Sequence, residues 1–252
     1  ASSGIGRGIA IEFAREGACV AVADIQEIPR RGKYHEQDVR TPTVEEIEKL
    51  GAEGGFISTD VSDEVQVEHL IQKTVEHFGG LDILVNNVGR AGGGGVTDTT
   101  DEDWHSAFDE TLYPAIRASR LAVPHMRRRG AGVIIMIASI WGRESGGRMT
   151  YNAVKAAEIS LAKSMAQELA HDGIRVNSVA PGSISFPGGS WYRRQQEEPD
   201  RMAEFVRQNL PFGRFGRAEE VGEVVAFLAS PRASWISGAS VTVDGCQSRS
   251  LI

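Results

Sequence analysis

Cysteine is nearly absent from this chain. Two in 252 residues, Cys19 and Cys246, cannot build a disulfide framework, and such sparse use suits a reducing compartment and a cytoplasmic protein. The six histidines, at 35, 69, 77, 105, 125 and 171, form no HExxH and no cluster with the cysteines, so no metal site is inferred. No apolar run approaches the length of a membrane span. Positive charge is also in deficit: the net charge is −7, which argues against a nucleic-acid partner. The one basic run, Arg127 to Arg129, follows a helical pattern and precedes Gly130, a position where it complements a helix C-terminus.

What remains is ordinary globular composition, 41% hydrophobic and 24% charged, with nothing that reads as a linker. A single domain is therefore expected, since α/β folds of this length are commonly one unit. Along the chain, strand-like and helix-like patterns alternate. ACVAVAD (Ala18 to Asp24), FISTDVS (Phe56 to Ser62), LDILVNNVG (Leu81 to Gly89), GVIIMIAS (Gly132 to Ser139), Arg175 to Ala180 and SVTVDG (Ser240 to Gly245) read as strands. Helical patterns start after Gly8 and cover about Thr43 to Leu50, Val65 to Phe78, Glu102 to Arg129 with breaks or bends near Pro114 and Pro124, Tyr151 to about His171, and Ala218 to Ala229. The segment from Gln26 to Arg40 is polar. Such alternation predicts a parallel sheet with helices on both faces and ligands beyond the carboxyl ends of the strands.

Polar clusters fall at five of those ends: Asp24, Asp60, Asn86 with Asn87 and Gly89, Ser139, and Pro181 with Gly182. Turn chemistry explains any one of them, and the coincidence of five points to a site. The stretch from Ser139 to Lys155 is the centre of that site. On a helix Lys155 lies one turn beyond Tyr151 on the same face. A free phenol ionises only near pH 10, roughly, and a neighbouring ammonium favours the phenolate, so the pair makes a usable proton donor and acceptor. Ser139, leaving its strand beside that helix, offers a hydroxyl to a substrate oxygen. Near the start, Gly4, Gly6 and Gly8 precede a helix whose N-terminus would favour a phosphate, although the strand that usually leads into G-x-G-x-x-G is missing. Asp24, 16 residues after Gly8, would bind a ribose 2′-hydroxyl and repel a 2′-phosphate, which favours NAD over NADP.

Taken together, ASSGIG (1 to 6), Asp60-Val61, NNVG (86 to 89), Ser139, YNAVK (151 to 155) and VNSVAPG (176 to 182) resemble the short-chain dehydrogenases/reductases, in order and over nearly the whole chain. The resemblance implies an α/β, Rossmann-type, doubly wound parallel sheet in the order 3-2-1-4-5-6-7, spanning residues 1–252 as one NAD(P)-binding domain. It implies reversible hydride transfer between a nicotinamide cofactor and a secondary alcohol or ketone. By the same resemblance Ser139, Tyr151 and Lys155 are catalytic. Ser3, Gly4, Ile5, Gly6, Asp24, Asp60, Val61, Asn87, Gly89, Tyr151, Lys155, Pro181, Gly182 and Ile184 would bind the cofactor.

Four departures from the family pattern stand out. The first strand is absent, which predicts an upstream segment in the natural protein. Thr111 occupies the place of the usual Asn of the proton relay, which it would weaken or reroute. Val88 replaces alanine. The Thr expected after Pro181-Gly182 is replaced within SISF, where Ser183 or Ser185 would have to supply the hydroxyl. Phe186 then opens a segment, about 186–209, expected to be a mobile substrate cover hinged at Gly188-Gly189. Trp141, Phe186 and Trp191 are its candidate substrate contacts, while Arg143, Arg193 and Arg194 are read as a solvated face. The partner is a small-molecule substrate, and the family suggests a homo-oligomer, tetramer or dimer. Reduction of a 3-oxoacyl thioester and a catalytically impaired nicotinamide-binding scaffold are the alternative functions.

Overall fold

The computed structural model describes residues 1–29, 41–90 and 92–251. Arg30 to Arg40, the second part of the polar segment and with it His35, lie outside the described residues. In chain order the elements are α1 (Gly4–Arg15), β1 (Val20–Asp24), α2 (Thr43–Lys49), β2 (Gly54–Ser58), α3 (Glu64–Phe78), β3 (Ile83–Asn86), α4 (Asp101–Ala107), α5 (Tyr113–Arg129), β4 (Gly132–Ile137), α6 (Met149–Leu169), β5 (Ile174–Pro181), α7 (Ser190–Glu197), α8 (Pro199–Asn209), α9 (Ala218–Ala229) and β6 (Ser240–Val243). They pack as two compact units. The first is built from Ala1–Thr59, Pro181–Phe227 and Val243–Arg249, the second from Asp60–Ala180, Leu228–Thr242 and Ser250–Ile252.

In the first unit β1 and β2 pair in parallel, Val20 opposite Gly54 and Asp24 opposite Ser58. Apolar residues one turn apart on α1, Ala10 and Ala14, close over Val22 and Ile47. α7 and α8 form a separate apolar nucleus in which Met202, Leu210 and Phe215 are buried and Trp191 and Phe205 pack on them. Neither helix was evident in the sequence, because polar residues dominate their exposed faces.

The second unit carries the sheet β3-β4-β5-β6, with β3/β4 and β4/β5 parallel. Every residue of β4 is buried, as its unbroken apolar run requires of a central strand covered on both faces. Its core joins Ile134 and Met136 to Met126 of α5 and to Ala162, Ala166 and Leu169 of α6. Ile134→Ala empties a site with no solvent exposure and is expected to cost about 2–5 kcal/mol, read as a lower denaturant midpoint at unchanged slope. Arg127 to Arg129 fill the last turn of α5 ahead of Gly130, which takes the left-handed conformation (φ +72°) that ends the helix.

In the expected numbering β1 to β6 stand for strands 2 to 7, and the neighbours 2-3, 4-5, 5-6 and 6-7 are all present. Several sequence boundaries need correction, among them the strand expected over Leu81 to Gly89, which runs over Ile83–Asn86. The third expected strand starts two residues earlier and stops at Ser58: the Thr59 N–H makes the last ladder bond to the Asp24 carbonyl, and Asp60 then turns the chain by accepting from the Ser62 N–H. The long helix is three pieces: α4, a π-helical segment over Phe108–Leu112, and α5. The break falls just before Pro114, whose ring nitrogen has no proton to donate, whereas Pro124 sits inside α5 without ending it. No described helix is long and apolar enough to cross a membrane.

Candidate active site

β4 ends at Ile137, and the Ala138 N–H still bonds the Val179 carbonyl of β5. Ser139 is extended, and its Oγ accepts from the Trp141 N–H at 3.2 Å, starting a 3-10 turn over Ile140–Gly142. That turn lies directly on α6. A Cβ on Gly142 would stand 2.6 Å from the Lys155 carbonyl carbon and 2.9 Å from the Ala156 nitrogen, so only glycine lets the two backbones approach. Beside it the Trp141 ring meets the Tyr151 ring edge-on, with centroids 6.4 Å apart. The turn and the helix therefore present Ser139, Trp141, Tyr151 and Lys155 as one cluster.

Lys155 is 2% exposed, and its ammonium lies 5.8 Å from the Tyr151 ring centroid. Nζ donates to the Ile137 carbonyl at 2.7 Å and to Oε2 of Glu158 at 2.8 Å. Gly89 closes the other side: a Cβ there would lie 2.9 Å from Nζ. Glu158 has no solvent exposure, and its Oε1 has no hydrogen-bond partner among the described residues. Burial pushes its carboxyl up to about 7, against the pull of the Lys155 charge. Sequence reasoning missed Glu158. Its only signal was the i, i+3 spacing from Lys155, which says nothing about burial.

Thr111 sits in the π-helical segment and is buried. Its hydroxyl donates to the Arg90 carbonyl at 3.0 Å and accepts from the Arg90 N–H at 3.1 Å, while its methyl faces Gly89. The hydroxyl proton is thus taken up by the backbone that follows the NNVG motif. Asn86 donates to Ser119 and to the Met136 sulfur, Asn87 is half-buried, and Val88 is exposed. Asn177 is buried and ties β5 to the loop before β6 through the Ile236 carbonyl and the Ala239 N–H. Asp60 holds the turn into α3, accepting from the N–H and hydroxyl of Ser62, with Val61 half-buried beside it.

The remaining candidates belong to the first unit. Ser3 is the extended N-cap of α1 and makes no side-chain cap, so the N–H groups of the first turn have no capping hydroxyl. Gly4, at φ +59°, is the first helical residue, followed by the half-buried Ile5 and the buried Gly6. The helix thus begins within the glycine cluster rather than after it. Asp24 accepts from the Ser2 and Ile25 N–H groups. Pro181 ends β5, and Ile184 bridges to Gly216.

A Cβ at Gly4 would meet the Phe186 ring at 2.7 Å, so that ring lies against the start of α1. The Ser183 Oγ accepts from Gln247, and the Ser185 hydroxyl donates to Gln195. Trp191 stacks on Phe205, centroids 4.8 Å apart, and packs against Phe215, with the Arg194 guanidinium over its ring. Arg193 reaches Glu197, and Arg143 donates to the Ser240 carbonyl. Cys19 and Cys246 are free thiols, both exposed.

Residues 1–246 match the family model described as enoyl-(acyl carrier protein) reductase. The chain is 35% identical to the 3-oxoacyl-[acyl-carrier-protein] reductase FabG of Staphylococcus aureus, over 97% of this chain and 94% of that one. A solved structure of 7 alpha-hydroxysteroid dehydrogenase, complexed with NADH and 7-oxo glycochenodeoxycholic acid, superposes with a TM-score of 0.85 at 31% identity, covering 100% of this chain and 92% of that one. A short-chain type dehydrogenase/reductase from Mycobacterium marinum gives 0.83 at 29%, covering 98% and 92%. The chain belongs to the short-chain dehydrogenase/reductase family. It is an enzyme, an oxidoreductase acting on CH–OH or keto groups.

Proposed function

We propose that the enzyme transfers a hydride between NAD(H) and a secondary alcohol or ketone, with Tyr151 as the proton donor and acceptor. The observation that carries this reading is the packing of the Ser139 turn onto α6 at Lys155, which gathers a hydroxyl, a phenol and an ammonium in one place. Ser139 Oγ already accepts one bond and keeps its own proton to give to a substrate oxygen. Tyr151 gives or takes the alcohol proton, with the Lys155 ammonium 5.8 Å from its ring centroid.

The bound nicotinamide supplies the hydride chemistry. The uncapped start of α1 suits a pyrophosphate, so Ser3, Gly4, Ile5 and Gly6 would hold it. Asp60 with Val61 would take the adenine, Asp24 the adenosine ribose, and Lys155 the nicotinamide ribose. Asn87, Gly89, Pro181, Gly182 and Ile184 would line the remainder. Trp141, beside Tyr151, is proposed to contact substrate, and Phe186 and Trp191 to belong to a substrate-covering segment over about 186–209. The free thiols fit a cytoplasmic setting, and family membership supports a homo-oligomer.

NAD over NADP rests on Asp24. Loss of its charge-assisted bonds in Asp24→Ala is expected to weaken NAD(H) binding about tenfold and to narrow the gap to NADP(H), read by fluorescence titration of both cofactors. An unchanged ratio removes Asp24 as the selector. A 3-oxoacyl thioester is the second substrate reading, supported by the identity with FabG. A panel of secondary alcohols, steroid ketones and 3-oxoacyl thioesters, followed at the nicotinamide absorbance, separates the two. Tight cofactor binding with no turnover across the panel would move the weight to a sensing or scaffolding role.

A further inference from the structure

Lys155 and Glu158 form an ion pair that water does not reach, 3% and 0% exposed at the side chains. One carboxylate oxygen holds Nζ and the other has no partner among the described residues. A buried carboxyl so placed is costly, and replacing such pairs with apolar side chains is often neutral or stabilising, so stability alone gives no account of it. It stands three residues from the lysine whose charge acts on Tyr151. We propose that Glu158 is a positioning residue for the proton-transfer step: it is the counter-charge to Lys155 and sets how much of the ammonium's field reaches the Tyr151 phenol. The proposal rests on the reading of Tyr151 as the proton-transfer residue.

The surroundings leave Lys155 as the charge acting on this carboxyl. β4 brings apolar side chains and the Ile137 carbonyl, and the Ile140–Gly142 turn has no ionisable group. On α4 and the π-helical segment, Asp101, Glu102, His105 and Asp109 are exposed, Asp103 bonds Thr100, and Glu110 bonds Ser106 and Arg90. Further along α6, Lys163 and Glu168 are exposed, as is His171 beyond it, and Asp172 pairs with Arg127. Thr111 does not compete for the lysine, because its hydroxyl is bonded both ways to Arg90.

With Glu158 ionised, its charge offsets the ammonium and the phenolate is less favoured. With Glu158 neutral, the full cation acts on Tyr151. Glu158→Gln keeps the side-chain shape and an acceptor for Nζ but removes the charge. The tyrosinate absorbance of the cofactor-free protein, taken as the difference from Tyr151→Phe in the same background, is expected to appear about one pH unit lower than in the wild type. The acidic limb of alcohol oxidation moves with it, and Glu158→Asp, which retains the charge, returns both towards wild type. A folded Glu158→Gln with unshifted absorbance and pH profile overturns the proposal.

Should Glu158→Gln not fold, the wild type carries the test. The infrared band of a buried protonated carboxyl is expected to fade as the pH rises through about 7 and the alcohol-oxidation rate to change over the same range, and a rate that does not change across the carboxyl's titration overturns the proposal. If Tyr151→Phe itself retains turnover, the underlying reading fails instead, and the two failures are distinct.

Discussion

Tyr151→Phe is expected to lower kcat by about a hundredfold to ten-thousandfold while cofactor binding and the melting temperature stay near wild type. The substitution removes only the phenol oxygen. Lys155 is held by the Ile137 carbonyl and Glu158, neither of which involves that oxygen, and the edge-on contact with Trp141 is made by the ring. Loss of turnover is then loss of a proton donor rather than of a fold. Steady-state rates in both directions, NAD(H) titration and a thermal melt on the same preparation read the three quantities. Retained turnover would remove Tyr151 from the mechanism, and a collapsed melt would make the kinetics uninformative about it.

Gly142→Ala is expected to be nearly as damaging through a different cause. The added methyl has no side chain to push aside, since its neighbours are the carbonyl carbon and oxygen of Lys155, at 2.6 and 2.7 Å, and the Ala156 nitrogen at 2.9 Å. Backbone on an α-helix yields little. The turn itself must therefore lift from α6, taking Ser139 and Trp141 with it. Overpacking of this kind costs about 1–3 kcal/mol in stability. A displacement near 1 Å between a positioned hydroxyl and the reacting atoms costs about a hundredfold in rate. The expected signature is a fall in kcat with a lowered melting temperature and an almost unchanged NAD(H) affinity. An unchanged kcat would show that the chemistry does not need the turn seated on the helix.

Buried ionisation is the thread that links the site to its pH behaviour. The Glu158 carboxyl is raised to about 7 by burial, with Lys155 opposing. Its raised value means that the folded protein binds a proton there that the unfolded chain releases at lower pH. Its contribution disfavours the fold progressively as the pH rises above the ordinary carboxylate range, up to about 7. A site that keeps such a group accepts that cost beside the lysine it serves.

Much of this was legible before any coordinate. Alternation of apolar runs with helical periodicity defined the α/β class, because a strand covered on both faces has no room for polar residues. The five polar clusters do close strands: Asp24, Asn86 and Pro181 are the last residues of β1, β3 and β5, while Asp60 and Ser139 follow β2 and β4 by two residues. Tyr151 and Lys155 share a face of α6 because i and i+4 must on any α-helix.

What only the tertiary structure decided are contacts between residues far apart in the chain. The seating of Gly142 on Lys155, the fit of Gly89 against Nζ and the two bonds from Thr111 to Arg90 are of this kind. So is the complete burial of Glu158, which turns an ordinary helical i, i+3 pair into an ion pair without water. Periodicity and spacing record what one element does with its own neighbours. Desolvation and close backbone approach are set by what other elements bring to the same point, and no local pattern encodes them.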